Sequence, residues 1–206
     1  MLITDEKKAI DFLEQNLDSK TFSVLCKYVE ILSENSKLFN LISRNTIDQI
    51  WQRHILDSYQ LMNYINKEDS VVDIGSGAGL PGVVLRILGI SKIRMIDSSN
   101  KKIKFINTTL ENLEFKPSAI HTRIEDFKTK TDILTARALK PLKEIFSLIN
   151  KNIIVNKKIL LLKGARSQEE IDDASHLWDF QCKLHKSITS ENSFIIEINP
   201  QIFSKK

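Results

Sequence analysis

Apolar residues recur at every third or fourth position over the front of the chain and in short unbroken runs over the rest, with the change near Asn66. Residues 6–17 carry Ile10, Leu13 and Leu17 on one helical face, and residues 21–34 carry Leu25, Tyr28, Val29 and Leu32. A further helix is predicted from Thr46, with Ile47, Ile50, Trp51, Ile55 and Tyr59 as its apolar positions and Thr46 with Gln49 as a capping box. Beyond Asn66 the apolar runs predict strands near 70–74, 92–97, 118–122, 131–136, 157–163, 181–188 and 193–198. Amphipathic stretches between them predict helices at 81–88, 100–113, 139–151 and 167–177. Pro81 suits a first helical turn, where its missing N–H is not needed, and Ile103, Ile106, Leu110 and Leu113 line one stripe. Such alternation calls for a parallel sheet covered on both faces, closed at one edge by an antiparallel hairpin of the last two strands. The chain divides into a helical N-terminal extension, residues 1–66, and an α/β domain, residues 67–206.

Composition adds limits. The 206 residues suffice for one α/β domain with an appendage. A net charge of +4 allows a polyanionic partner without demanding one, and pairs such as Lys128/Lys130 and Lys157/Lys158 read equally well as solvated lysines. Cys26 and Cys182 lie far apart and beside neither proline nor another cysteine, which points to reduced thiols in a cytoplasm rather than to a nucleophile or redox pair. His54, His121, His176 and His185 show no metal-ligand spacing, so no metal is expected. No apolar run reaches the length of a membrane span, and the N-terminus mixes acidic with basic residues, unlike a signal peptide. A soluble cytoplasmic protein without a membrane partner is expected.

The most informative stretch is Val71 to Gly82, VVDIGSGAGLPG. A buried strand there ends around Asp73 and turns through Gly75, Gly77 and Gly79 into a helix, which would bring bare backbone N–H groups up to a ligand. Gly77, Gly79 and Gly82 also satisfy the dinucleotide pattern G-x-G-x-x-G, a weak signal alone. Asp73 would repel a pyrophosphate. It would attract the ammonium and sulfonium end of S-adenosylmethionine, directly or through water, so the order D-x-G-x-G-x-G favours that methyl donor. Asp97, ending the second strand, can take both ribose hydroxyls. Either carboxylate also reads as a turn or capping residue.

In such a sheet ligands sit outside the carboxyl ends of the strands, where strand order reverses. That gathers Asp73 and Gly75, Asp97, Arg123 to Asp126, and Arg137. Ile124 and Glu125 fit an adenine pocket, with a capped turn as the alternative. Arg137 places a lone guanidinium after a strand that should be buried, and an unpaired charge there is costly. It could hold the carboxylate of the methionine moiety or the phosphate or base of a target nucleotide; a structural salt bridge to Asp126 or Asp97 is the alternative.

The chain resembles the glucose-inhibited division protein B family, the bacterial small-subunit ribosomal RNA guanine-N7 methyltransferases, over nearly its whole length. The resemblance rests on Arg53-His54-Ile55-Leu56-Asp57-Ser58, on Asp73 to Gly82 with its Leu80-Pro81-Gly82 ending, on Asp97-Ser98 with Lys101-Lys102, on Arg123-Ile124-Glu125, on Arg137-Ala138 and on Lys163-Gly164. It implies a Rossmann-like, seven-stranded class I methyltransferase sheet behind the helical extension, S-adenosylmethionine as cofactor, and 16S ribosomal RNA or an assembling small subunit as partner. Cofactor contacts carried over by position are Gly75, Leu80, Ile124, Glu125 and Arg137, with Asp97 at the ribose; Asp73, Gly77 and Gly79 join them from the reading of the loop. The chain departs from the family at Asn40-Leu41-Ile42, where Asn-Leu-Thr is common, and after Pro200, where some members carry a basic tail. Both departures bear on RNA contacts.

Guanine N7 keeps an in-plane lone pair at neutral pH, so methylation there needs alignment and no strong base. Arg137 is the expected catalytic residue, ordering the reaction centre without acting as a base. Arg53, His54 and Asp57 form one polar cluster on an apolar helix, suited equally to lining an RNA entrance or to pinning the extension to the sheet. Lys101, Lys102 and Lys104 could meet phosphate or simply be solvated. RNA-binding candidates are thus Arg53, His54, Lys101 and Lys102, and a monomer is expected. A nucleotide-dependent oxidoreductase and a non-catalytic RNA-binding assembly factor stand as alternatives.

Overall fold

The computed structural model describes residues 2–149 and 152–206. Strands β1 Val71–Ile74, β2 Ile93–Asp97, β3 Ala119–His121, β4 Thr129–Arg137, β5 Ile153–Lys163, β6 Trp178–Lys186 and β7 Phe194–Lys205 form one sheet. Their order is β3-β2-β1-β4-β5-β7-β6. β1 to β5 are parallel, and β7 lies antiparallel between β5 and β6, which gives the expected edge hairpin. The chain steps outward from β1 to β3 and returns to β4 on the other side of β1. The crevice this opens lies at the carboxyl ends of those strands.

Helices are α1 Glu6–Asn16, α2 Ser19–Phe39, α3 Asp57–Tyr59, α4 Gly82–Ile87, α5 Asn100–Asn112, α6 Leu142–Ile149 and α7 Ser167–Ser175. Asp5 and Asp18 cap α1 and α2 by accepting from the backbone N–H of Lys8 and Thr21. On one face of the sheet Leu13, Leu25, Tyr28, Leu32, Ile55 and Leu56 join Val83, Met95 and Ile133 in a single core, so the N-terminal helices cover that face. Alternate strand residues Val72, Ile74, Ile96 and Leu134 face the other way, against α6 and α7. There Phe146 packs edge-on to Trp178, Phe180 and Phe203, with ring centroids 5.6, 5.0 and 4.7 Å away.

Several boundaries differ from expectation. The helix predicted from Thr46 is a 3₁₀ turn, Arg44–Gln49, then a wide π turn, Trp51–Leu56, then α3 and a second 3₁₀ turn, Gln60–Asn63. Thr46 makes no capping box: it lies inside the first turn and donates its hydroxyl to Ser43 O at 2.8 Å. Pro81 stands one residue ahead of α4. β7 runs through Pro200, which cannot donate to a ladder; the register skips from Asn199 to Phe203 there, so Pro200, Gln201 and Ile202 bulge out of β7 opposite the consecutive Phe180 and Gln181. Of the helix predicted at 139–151, residues 142–149 are helical, and residues 150 and 151 lie outside those described.

Phe146→Ala should destabilise the fold by about 3–5 kcal/mol. Urea unfolding should show the midpoint falling with an unchanged m value.

Candidate active site

The glycine loop leaves β1 through Gly75, whose φ of +65° is one that side chains disfavour; a Cβ there would stand 2.4 Å from Leu139 Cδ1. The loop's N–H groups were expected to be bare, and the structure corrects this for four of them. Ser76 N–H donates to Ile96 O at 3.0 Å, Gly77 N–H to Asp97 Oδ2 at 3.0 Å, and those of Gly79 and Leu80 to Ser76 O at 2.8 and 3.0 Å. The loop is tied down by its own donors. Tyr28, buried in α2, adds a bond from its hydroxyl to Ala78 O at 3.0 Å.

Asp73 was expected to face the ligand's cationic end. The structure places it beneath the loop, fully buried, with Oδ2 accepting from Gly82 N–H at 3.2 Å and Oδ1 from the Thr135 hydroxyl at 3.0 Å. This grip needs the glycine, because a Cβ at Gly82 would lie 2.8 Å from the carboxylate and 2.4 Å from Met95. Burial pushes the Asp73 pKa up to about 7 against the pull of its hydrogen bonds.

Two adjoining cavities open at the strand ends and share Gly75, Lys102 and Ala138. One, of about 300 Å³, is lined by Asp97, Arg123, Ile124, Glu125 and Leu139. The other, of about 350 Å³, is lined by Leu41, Thr46, His54, Gly77, Leu80 and Arg137. Asp97 closes the first: it accepts from Gly77 N–H and from Ser99 N–H at 2.8 Å, with the Lys102 ammonium 3.9 Å away. A carboxylate offers about four acceptor sites, so capacity is left for hydroxyl donors. A larger cavity of about 670 Å³ lies among Lys157, Cys182 and Asn199 at the hairpin edge, where none of the motif residues reach.

Arg137, at the end of β4, meets neither of the acids anticipated for it. Its Nε lies 3.3 Å from Asp57 Oδ2, and its Nη2 donates to His54 Nδ1 at 2.7 Å. Because a guanidinium only donates, Nδ1 accepts and the imidazole proton sits on Nε2. That N–H donates to the Thr46 hydroxyl at 2.9 Å, which passes its own proton to Ser43 O. Burial, then Arg137 and Arg53, push the His54 pKa down to about 3, so the ring is neutral. Asp57 also accepts from Gln60 Nε2 at 2.8 Å and from the Thr189 hydroxyl at 3.2 Å. Among the described residues, the buried Arg137 Nη1 has no hydrogen-bond partner.

The structure thus gathers Gly75, Gly77, Leu80, Asp97, Ile124, Glu125, Lys102, His54 and Arg137 along one crevice. Arg53 lies next door, in a cavity of about 200 Å³ with Asp57, Arg137 and Lys163. Gly79 lines neither main cavity, and Lys101 points away, over the Phe39 ring at 4.2 Å. Thr46 and Leu139 belong to the crevice although neither was expected; a hydroxyl within reach of a predicted site histidine was the only signal for Thr46. Among the described residues no group of three or more His, Cys, Asp or Glu is placed to hold a metal ion.

A family model described as GidB, rRNA small subunit methyltransferase G, matches residues 21–196. The chain is similar to the ribosomal RNA small subunit methyltransferase G of Orientia tsutsugamushi strain Ikeda, 42% identical over 91% of this chain and 96% of that one. It is similar also to the Rickettsia felis protein of the same name, 44% identical over 84% of this chain and 90% of that one. Among solved structures, a glycopeptide N-methyltransferase, MtfA, in complex with S-adenosylhomocysteine superposes with a TM-score of 0.57 at 8% identity, over 70% of this chain and 89% of that one. At that identity the likeness concerns the fold: a class I methyltransferase sheet.

Asp73 and His54 make opposite demands on pH. Asp73, with its pKa raised to about 7, contributes stability that is full below the unfolded value of 3.8 and is lost as pH rises through 7. His54, lowered from 6.5 to about 3, contributes stability that is full above 6.5 and is lost on acidification toward 3. Asp73→Asn keeps an acceptor for Gly82 N–H and removes only the first effect. Between pH 7 and 5 its stability should therefore fall more steeply than the wild type's, by up to about 1.4 kcal/mol per pH unit. Urea titrations at both pH values check this; parallel curves would refute it.

Proposed function

The chain belongs to the GidB family, rRNA small subunit methyltransferase G, and on that premise we propose that it transfers a methyl group from S-adenosylmethionine to N7 of a guanine in 16S ribosomal RNA. The observation that carries the reading is the internal engagement of the N–H groups of Ser76, Gly77, Gly79 and Leu80 beside a carboxylate, Asp97, that lines a cavity and keeps acceptor capacity. A pyrophosphate would need those N–H groups free. That disfavours a nucleotide-dependent oxidoreductase. A nucleoside without phosphate needs only a carboxylate for its ribose and an apolar surface for its base, which Asp97 and Ile124 provide at one cavity.

In this reading Asp97 takes the ribose hydroxyls, Ile124 packs on the adenine with Glu125 at its edge, and Gly75, Gly77 and Leu80 wall the methionine end. Asp73 supports that wall from beneath, and Gly79 shapes the turn behind it. When bound, the cofactor supplies an electrophilic methyl group on a sulfonium. The chain's task is then alignment. His54 Nδ1 is engaged by Arg137 and Asp57 is paired with the same guanidinium, so neither is free to accept a proton. An N7 acceptor, whose lone pair is already exposed, asks for none. Arg137, with Nη1 unpaired, is the donor left to order the reacting groups. Residues 1–66 supply the wall that faces RNA, through His54 and Arg53, and residues 67–206 supply the cofactor side. The partner is 16S rRNA or an assembling small subunit, met by a cytoplasmic monomer. Among the described residues no helix is long and apolar enough to cross a membrane.

Incubation with labelled S-adenosylmethionine and undermethylated small subunits, followed by nuclease mapping and mass spectrometry, should place the label on N7 of one guanine. Arg137→Lys keeps the charge but loses the planar fork, and should lower kcat about 100-fold. Absence of transfer to naked rRNA, assembly intermediates and subunits alike would leave a binding protein instead.

A further inference from the structure

Lys101 and Lys102 are neighbours on α5 that serve different surfaces. Lys102 lines both main cavities, whereas Lys101 borders an apolar groove of about 290 Å³ between the end of α2 and α5. Ile31, Phe39, Leu41 and Phe105 form the groove's apolar surface, with Lys101 and Lys104 at its rim. Leu41 lines the groove and the His54 cavity alike, so the two adjoin. Asn40, with a left-handed φ of 50°, ends α2 between them.

Three properties say what chemistry the groove fits. Phe39 is 45% exposed, the one aromatic among the large exposed apolar side chains of the described residues. The Lys101 ammonium stands 4.2 Å from its ring centroid, a cation held against a π face. No carboxylate lines the groove, and among the described residues neither Lys101 nor Lys104 makes an ion pair. An apolar floor for a protein partner would be served as well by mixed charge. A ring in the open, with lysines as the charged residues lining its groove beside the neutral Asn35, Thr108, Thr109 and Asn112, matches a nucleobase for the ring and phosphates for the lysines.

We propose that this groove binds an unpaired nucleotide of the RNA substrate, one that flanks the nucleotide entering the cofactor crevice, with its base stacked on Phe39 in place of the Lys101 ammonium, which turns with Lys104 to the phosphates. The inference rests on the methyltransferase reading above. Binding there would present the acceptor strand to the crevice in a fixed register across Leu41.

The test uses the full chain with undermethylated small subunits, and with a single-stranded purine-rich oligoribonucleotide carrying 5-iodouridine for photo-crosslinking. Phe39→Ala should raise KM for subunits about 10-fold, with S-adenosylhomocysteine affinity unchanged. Lys101→Glu should weaken oligonucleotide binding and reduce the slope of log affinity against log salt by about one unit. Crosslinks should map to the peptide bearing Phe39. Wild-type transfer together with an unchanged KM for Phe39→Ala would overturn the groove while leaving the methyltransferase intact. Should the wild type transfer nothing, the methyltransferase reading fails and the crosslink decides the groove alone: label elsewhere refutes it. A dimer in sedimentation that Phe39→Ala dissociates would show a second copy as the occupant, and would also refute it. Because Phe39 stands outside the buried core at the end of α2, an unaltered thermal midpoint should accompany each result.

Discussion

One carboxylate holds the crevice in shape. Asp57 is only 14% exposed along its side chain, and three donors from three parts of the chain meet it: Gln60 Nε2, the Thr189 hydroxyl and Arg137 Nε. Burial raises its pKa, and Arg137 is the chief opposing influence. Removing one partner of such a pair typically costs about 3–5 kcal/mol, because it strands the other charge out of water. The segment after Leu56, the turn between β6 and β7 and the end of β4 are therefore fixed to one another. From Arg137 the constraint passes to His54, then to Thr46 and Ser43, each link requiring a definite donor. The wall of the second cavity stands where this chain of bonds puts it.

Asp73 does for the loop what Asp57 does for the wall. It joins β1 to the start of α4 through Gly82 and to β4 through Thr135, fully buried in the core. A carboxylate so placed acts on a ligand through the backbone it supports. The two roles anticipated for it, attraction of a cation and rejection of a pyrophosphate, therefore give way to a third: it helps shape a loop in which the N–H groups of Ser76, Gly77, Gly79 and Leu80 are spent on Ile96, Asp97 and Ser76.

The sheet, its edge hairpin, the glycine loop and the acid ending β2 were legible because each depends on local pattern: an apolar run, a glycine at a positive φ, a carboxylate at a strand end. Less was legible where two distant segments decide the outcome. Residues 44–63 have helical periodicity, yet the turn widens over Trp51–Leu56, where the buried His54 and Ile55 meet different surroundings; periodicity cannot report such a widening. Arg137 was recognisable as a charge in need of a partner, but Asp57 lies eighty residues earlier, and nearer acids in the sheet competed for the assignment. Lys101 and Lys102 looked equivalent until the helix turned one toward the crevice and the other toward Phe39. β7 passed Pro200 because the strand bulges there, leaving Pro200, Gln201 and Ile202 out of the pairing with β6.

The arrangement bears on how rate can arise. With His54 neutral and its acceptor nitrogen occupied, Asp57 paired, and Arg137 unable to give up its proton, none of these three side chains is poised to move protons. An acceptor that needed deprotonation would find no base among them. Rate must come from holding an existing lone pair in line, and alignment draws on binding energy from parts of the substrate that do not react. For one guanine within a large RNA that energy has to be gathered beyond the base itself. The cationic side chains around the crevice, Lys102, Arg123 and Arg53, are placed to gather it, and a chain of net charge +4 does so without a large excess of positive charge.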